Sequence, residues 1–154
     1  MTFLKAGDKA PDFSGLNQKG EQISLHNFQG KKLILYFYPK DNTPGCTAES
    51  CNLNDNYQMW ISKGYEVVGV SPDSVVSHKK FADKFKFGFN LIADPQTEIL
   101  KAYGVWGEKS MYGKTYMGVL RTTFVIEDGN IREIFDKVDT KNHSEQIIKT
   151  LDIK

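Results

Sequence analysis

The chain has 154 residues, 40 % hydrophobic and 25 % charged, with a formal net charge of +1. That length and composition predict one domain, 1–154, with a normal core, and the near-neutral charge gives no support for a nucleic-acid or anionic-membrane partner. No apolar run approaches the length that spans a bilayer and no secretory h-region follows Met1, so the expected setting is a reducing cytoplasm.

Residues 12–16 and 22–25 flank Asn17-Gln18-Lys19-Gly20 and predict an N-terminal hairpin. The run Leu33-Ile34-Leu35-Tyr36-Phe37-Tyr38 predicts a central strand covered on both faces. Residues 45–62 then predict a single helix, with Leu53, Tyr57, Trp60 and Ile61 on one face and Gly64 as its stop. Residues 66–71 predict a second core strand. Pro72-Asp73-Ser74 starts the next helix, with Val75, Val76, Phe81 and Phe85 as core contacts. A short strand at 90–93 precedes a helix opened by Asp94-Pro95, with Pro95 in its first turn and Ile99, Leu100 and Tyr103 along it. The glycine- and tyrosine-rich stretch 105–120 is expected to be irregular. Residues 122–126 and 130–135 flank Glu127-Asp128-Gly129, a strong hairpin signal, and 144–151 predict the last helix. Strands alternating with helices, closed by an antiparallel hairpin, predict an α/β fold: a mixed central sheet flanked by helices.

Both cysteines fall in Pro39-Lys40-Asp41-Asn42-Thr43-Pro44-Gly45-Cys46-Thr47-Ala48-Glu49-Ser50-Cys51. With Thr43 as N-cap and Pro44 at the first helical position, Cys46 lies in the first helical turn. Unpaired amide N–H groups and the positive end of the helix dipole there favour a thiolate, the nucleophilic form. Cys51 is five residues on, about 7.5 Å along the axis and roughly 140° around it. A disulfide needs Cα atoms within about 7 Å. Its formation therefore requires the first turns to unwind on oxidation and to re-form on reduction. Two inert, buried cysteines are the alternative. Glu49, one turn after Cys46, either orients the helix there or is a solvated helix residue. His26, His78 and His143 sit among polar neighbours and are expected to face solvent. Gly107 to Thr115 imitates a phosphate-binding loop but has one intervening residue too many. No zinc-ligand spacing is present, so neither metal nor cofactor is expected.

Pro39-x-x-x-Thr43-x-x-Cys46 matches the active-site pattern of the peroxiredoxins. The longer run from Tyr36 to Cys51 resembles their bacterioferritin-comigratory, or PrxQ, branch. So do Tyr103-Gly104-Val105-Trp106-Gly107-Glu108-Lys109, Met111-Tyr112-Gly113-Lys114 and Arg121-Thr122-Thr123-Phe124. The resemblance runs from Gly7-Asp8 nearly to the C-terminus and implies a thioredoxin-like fold and thioredoxin-dependent thiol peroxidase activity. It implies Cys46 as the peroxidatic and Cys51 as the resolving cysteine, joined in an intramolecular disulfide. It also implies that Thr43 and Arg121, one of only two arginines, activate the peroxide, and that Pro39 shields the sulfur. A hydroperoxide substrate, thioredoxin or a similar dithiol as reductant, and a monomer complete the expectation. One departure is Asn54, where many relatives carry arginine. A thioredoxin-type disulfide reductase is the first rival, but it would carry Cys-x-x-Cys. A non-catalytic binding domain with an incidental cysteine pair is the second.

Overall fold

The computed structural model describes residues 2–153; Met1 and Lys154, the ends of the expected domain, lie outside the described residues. The chain runs β1 (Ser14–Leu16), β2 (Gln22–Ser24), a 3-10 turn (Leu25–Phe28), β3 (Lys32–Phe37), α1 (Pro44–Asp55), α2 (Tyr57–Ser62), β4 (Tyr65–Ser71) and α3 (Val75–Phe85). It continues through β5 (Asn90–Ala93), α4 (Glu98–Ala102), β6 (Trp106–Met111), β7 (Lys114–Val119), β8 (Thr122–Glu127), β9 (Asn130–Phe135) and α5 (His143–Leu151). Seven strands form one sheet in the order β2-β1-β5-β4-β3-β8-β9. Strands β3, β4 and β5 are parallel, whereas β1, β8 and β9 join antiparallel. This is the mixed sheet flanked by helices that the strand and helix alternation predicts.

The period-2 alternation of β3 builds two apolar layers. Leu33, Leu35 and Phe37 join Val68, Val70, Leu100, Tyr103 and Phe124 on one face. Ile34, Tyr36 and Tyr38 join Cys46, Leu53, Trp60, Phe81 and Ile147 on the other. Each large side chain so buried contributes about 1.5–3 kcal/mol relative to exposure. A one-residue slip of β3 would exchange the two layers, so its register is strongly specified. Gly69 of β4 is part of that fit, because a Cβ there would lie 2.8 Å from the Tyr36 ring. The glycine leaves room for the Tyr36 ring, whose Oη lies 2.8 Å from Ser50 Oγ on α1.

Four expectations need correction. The helix over 45–62 is broken at Asn56, whose side-chain amide donates to Asn52 O at 2.8 Å and competes with the backbone ladder. Ile61 and Val76 turn outward, 41 % and 64 % exposed. Pro95 lies in the turn before α4 rather than in its first turn. There Asp94 Oδ2 accepts from Leu100 N at 2.9 Å, and Thr97 takes φ 59° as N-cap. The stretch 105–120 is a regular hairpin, β6 and β7, reversing at Tyr112 (φ 52°) and Gly113 (φ 77°). The near phosphate-loop sequence lies within this ribbon, with no helix after it.

Candidate active site

Strand β3 ends beneath residues 39–43, and that loop delivers the chain into α1. Strand β8 pairs antiparallel to β3 with Phe37 opposite Thr122. Arg121, immediately before Thr122, is thereby set beside the start of α1, far from Cys46 in sequence and adjacent in space. Its Nη2 donates to Cys46 Sγ at 3.2 Å and its Nη1 to Glu49 Oε1 at 2.6 Å. One planar fork thus holds two groups one helical turn apart. Gly45 leaves room for it, since a Cβ there would be 3.3 Å from Nη2.

Cys46 is 1 % exposed and Cys51 half-buried, and both are free thiols on α1. Burial, with the Asp55 carboxylate behind it, pushes the Cys51 thiol up. Burial works against the Arg121 charge, but Glu49 and then Cys46 outweigh it and raise its pKa. Thr43 occupies the N-cap position, and its carbonyl accepts from Thr47 N at 2.8 Å. Its hydroxyl makes no cap bond and donates instead to Lys40 O at 2.8 Å. Pro39 is half-buried at the exit of β3.

The loop over 39–43 rests on a buried polar cluster. Asp41 accepts from Tyr38 Oη at 2.6 Å and Ser77 Oγ at 2.8 Å, and its Oδ2 lies 2.7 Å from His78 Nδ1. His78 Nε2 faces the Ile92 carbonyl at 3.0 Å. Asp41, Asp73 and His78 come within 4.8 Å of one another, but the atoms that converge are spent on these hydrogen bonds and on Asp41 N and Ser71 Oγ, both bound by Asp73 Oδ2. The cluster fixes the loop that carries Thr43.

Two histidines overturn the expectation of solvent exposure: His78 and His143 are both 0 % exposed, and only His26 lies outside. Polar neighbours in sequence misled, because each imidazole is buried inside its own hydrogen-bond network. Glu49, left open between two readings, is also fully buried. Burial pushes its carboxyl up from 4.5 to about 7, although Arg121 opposes this. A signal for it was present: a carboxylate three residues after Cys46 shares its helix face, and a buried carboxylate requires a cation. Asn54, where an arginine was expected from relatives, ties α1 to the α3–β5 connection, accepting from Gly88 N at 2.9 Å and donating to Lys86 O at 3.2 Å.

Residues 6–134 match the AhpC/TSA family. The chain is 44 % identical over 152 residues to Peroxiredoxin Bcp of Escherichia coli K12, covering 98 % of this chain and 97 % of that one. It is 39 % identical over 149 residues to Peroxiredoxin Bcp of Bacillus subtilis, covering 96 % and 95 %. Among solved structures, a cysteine-to-serine mutant of Xylella fastidiosa PrxQ superposes with a TM-score of 0.91 at 32 % identity, covering 99 % of this chain and 98 % of that one. The bacterioferritin comigratory protein of Xanthomonas campestris, solved for its alkyl peroxide reduction activity, superposes with a TM-score of 0.87 at 33 % identity, covering 99 % and 98 %. A thiol held against an arginine at the end of a central strand, within a fold shared along nearly its whole length, places this chain in the AhpC/TSA family as a Bcp/PrxQ peroxiredoxin, a thiol peroxidase with the thioredoxin-like fold.

Proposed function

We propose that Cys46 is the peroxidatic cysteine and Cys51 the resolving one, in a single domain that works as a cytoplasmic monomer. The observation that supports this most is the 3.2 Å contact of Arg121 Nη2 with Cys46 Sγ. The thiolate attacks one peroxide oxygen, the S–O bond forms and the O–O bond breaks. The leaving oxygen takes a proton and departs as water or an alcohol, and the sulfur is left as a sulfenic acid. Arg121 offers donors to the oxygen on which charge develops. The Thr43 proton is committed to Lys40 O, so its oxygen lone pairs remain to accept the O–H of the hydroperoxide. Pro39 excludes water from the sulfur.

The first turns of α1 then unwind and the Cys51 sulfur attacks the sulfenic acid. An S–S bond forms and water leaves. Thioredoxin, or a similar dithiol, reduces the disulfide by exchange and is itself oxidised. Hydrogen peroxide and organic hydroperoxides are the substrates, the latter supported by the alkyl peroxide reduction activity of the Xanthomonas relative. The test is peroxide consumption coupled to thioredoxin oxidation. Cys46→Ser abolishes it. Cys51→Ser still forms the sulfenic acid, seen by mass spectrometry after trapping, but loses thioredoxin-linked turnover. Full turnover by Cys46→Ser overturns the assignment.

A further inference from the structure

His78 is fully buried, takes no part in the contacts of the sulfur, and has an acceptor in front of each ring nitrogen. Nε2 lies 3.0 Å from the Ile92 carbonyl, which can only accept, so Nε2 carries a hydrogen. Nδ1 lies 2.7 Å from Asp41 Oδ2. An imidazole with one hydrogen and an ionised carboxylate would set two lone pairs against each other there. The contact therefore holds a second hydrogen, shared between Nδ1 and Oδ2. Imidazole and carboxylate thus form one hydrogen-bonded unit, as burial of an acidic group requires.

This unit stands two residues from Thr43. Between Asp41 and Thr43 lies Asn42, whose φ of 59° turns the chain through the left-handed region. A non-glycine residue stays in that region when its neighbours hold it there. Beyond the turn, Thr43 is held as the N-cap residue of α1. Before the turn, the hold falls on Asp41. Its amide donates to Asp73 Oδ2 at 2.9 Å, and its carboxylate meets Tyr38 Oη, Ser77 Oγ and His78. The two hydroxyl hydrogens can rotate away, whereas the imidazole is fixed at its other nitrogen by Ile92 of β5. We infer that His78 is a positioning residue for the peroxide step: through the shared hydrogen it ties Asp41 to β5, and so holds the turn at Asn42 that presents the Thr43 oxygen to the hydroperoxide. The inference rests on the reading of Thr43 as acceptor of the hydroperoxide O–H. Arg121 reaches Cys46 by a separate route, so His78 bears on the peroxide and not on the thiol.

The test compares two reactions of Cys46 in the full chain. Reduction of hydroperoxide needs Thr43; alkylation by iodoacetamide, read by mass spectrometry, does not. His78→Phe lowers the hydroperoxide rate constant by about tenfold, the size of one lost hydrogen bond, without slowing alkylation. Beside Thr43→Val it has no further effect. Asp41→Ala behaves as His78→Phe does. Asp41→Asn, whose amide itself brings the hydrogen that Nδ1 needs, keeps most of the hydroperoxide rate. An equal loss in both reactions, no loss in either, or a full further loss beside Thr43→Val overturns the inference. So does an Asp41→Asn variant no faster than Asp41→Ala. Should His78→Phe fold poorly, the two Asp41 variants pose the same question. A Thr43→Val variant with the wild-type hydroperoxide rate marks failure of the underlying reading, and the inference falls with it.

Discussion

Arg121 acts through shape as well as charge. Its two nitrogens reach Sγ and Glu49 at once, which a lysine ammonium cannot do. Arg121→Lys is expected to retain the fold and to lower kcat/KM for hydroperoxide by about 10²–10³-fold, the scale of a lost oxyanion donor. An unchanged kcat/KM would refute that role. Glu49 carries a pH signature of its own. Its folded value lies above its ordinary 4.5, at about 7, so its contribution to stability is fully present below 4.5 and is lost as the pH rises through about 7. His143 runs the other way: its folded value, about 4, lies below 6.5, so its contribution is present above 6.5 and is lost as the pH falls through about 4. Wild type is therefore expected to lose stability relative to Glu49→Gln between pH 4.5 and 7, with His143 unchanged in both. Urea unfolding across that range measures it; a flat difference contradicts it. Cys46 and Arg121 were legible because a long motif carried them. His143 was not, because tertiary structure alone brings the start of α5 against Glu49.

At the scale of elements, α1 is tied to α5 through Asn52. Asn52 Oδ1 accepts from Ser144 N at 2.7 Å, capping α5 from outside, and Asn52 Nδ2 donates to Lys141 O at 3.1 Å. The turns before Asn52 contain both cysteines. Amide exchange is expected to be faster over residues 46–51 in the disulfide form, with protection retained from Asn52 on. Equal protection in the two redox states would rule out the unwinding. In the first turn of α1, Gly45→Ala is expected to displace Arg121 by a few tenths of an ångström and to slow peroxide reduction without unfolding the chain. The strands of the main sheet and the start of α1 were readable from periodicity and punctuation. The break at Asn56 was not, because a side-chain amide took a ladder carbonyl. The β6–β7 ribbon was missed because its exposed residues show no buried face to set a period of two.

For the whole molecule, a mixed sheet flanked by helices was the part that alternation of elements could supply, whereas the strand order that sets Arg121 beside α1 was not. What sequence could not supply is how tightly the segment between the cysteines is held. Glu49 is clasped by Arg121, and Ser50 Oγ lies 2.8 Å from Tyr36 Oη in the buried layer. Under the proposed cycle both contacts exist in the reduced form and must be given up to form the disulfide. Free energy that favours only the reduced form raises the reduction potential of the couple, by about 30 mV for each 1.4 kcal/mol. The burial of Glu49 and Ser50 therefore makes the Cys46–Cys51 pair more oxidising, and so easier for an external dithiol to empty. Ser50→Ala is expected to shift the potential, measured against a thiol redox buffer, to more negative values. In the proposed cycle, the packing that holds the segment between the cysteines thus also favours the reductive return of their disulfide to two thiols.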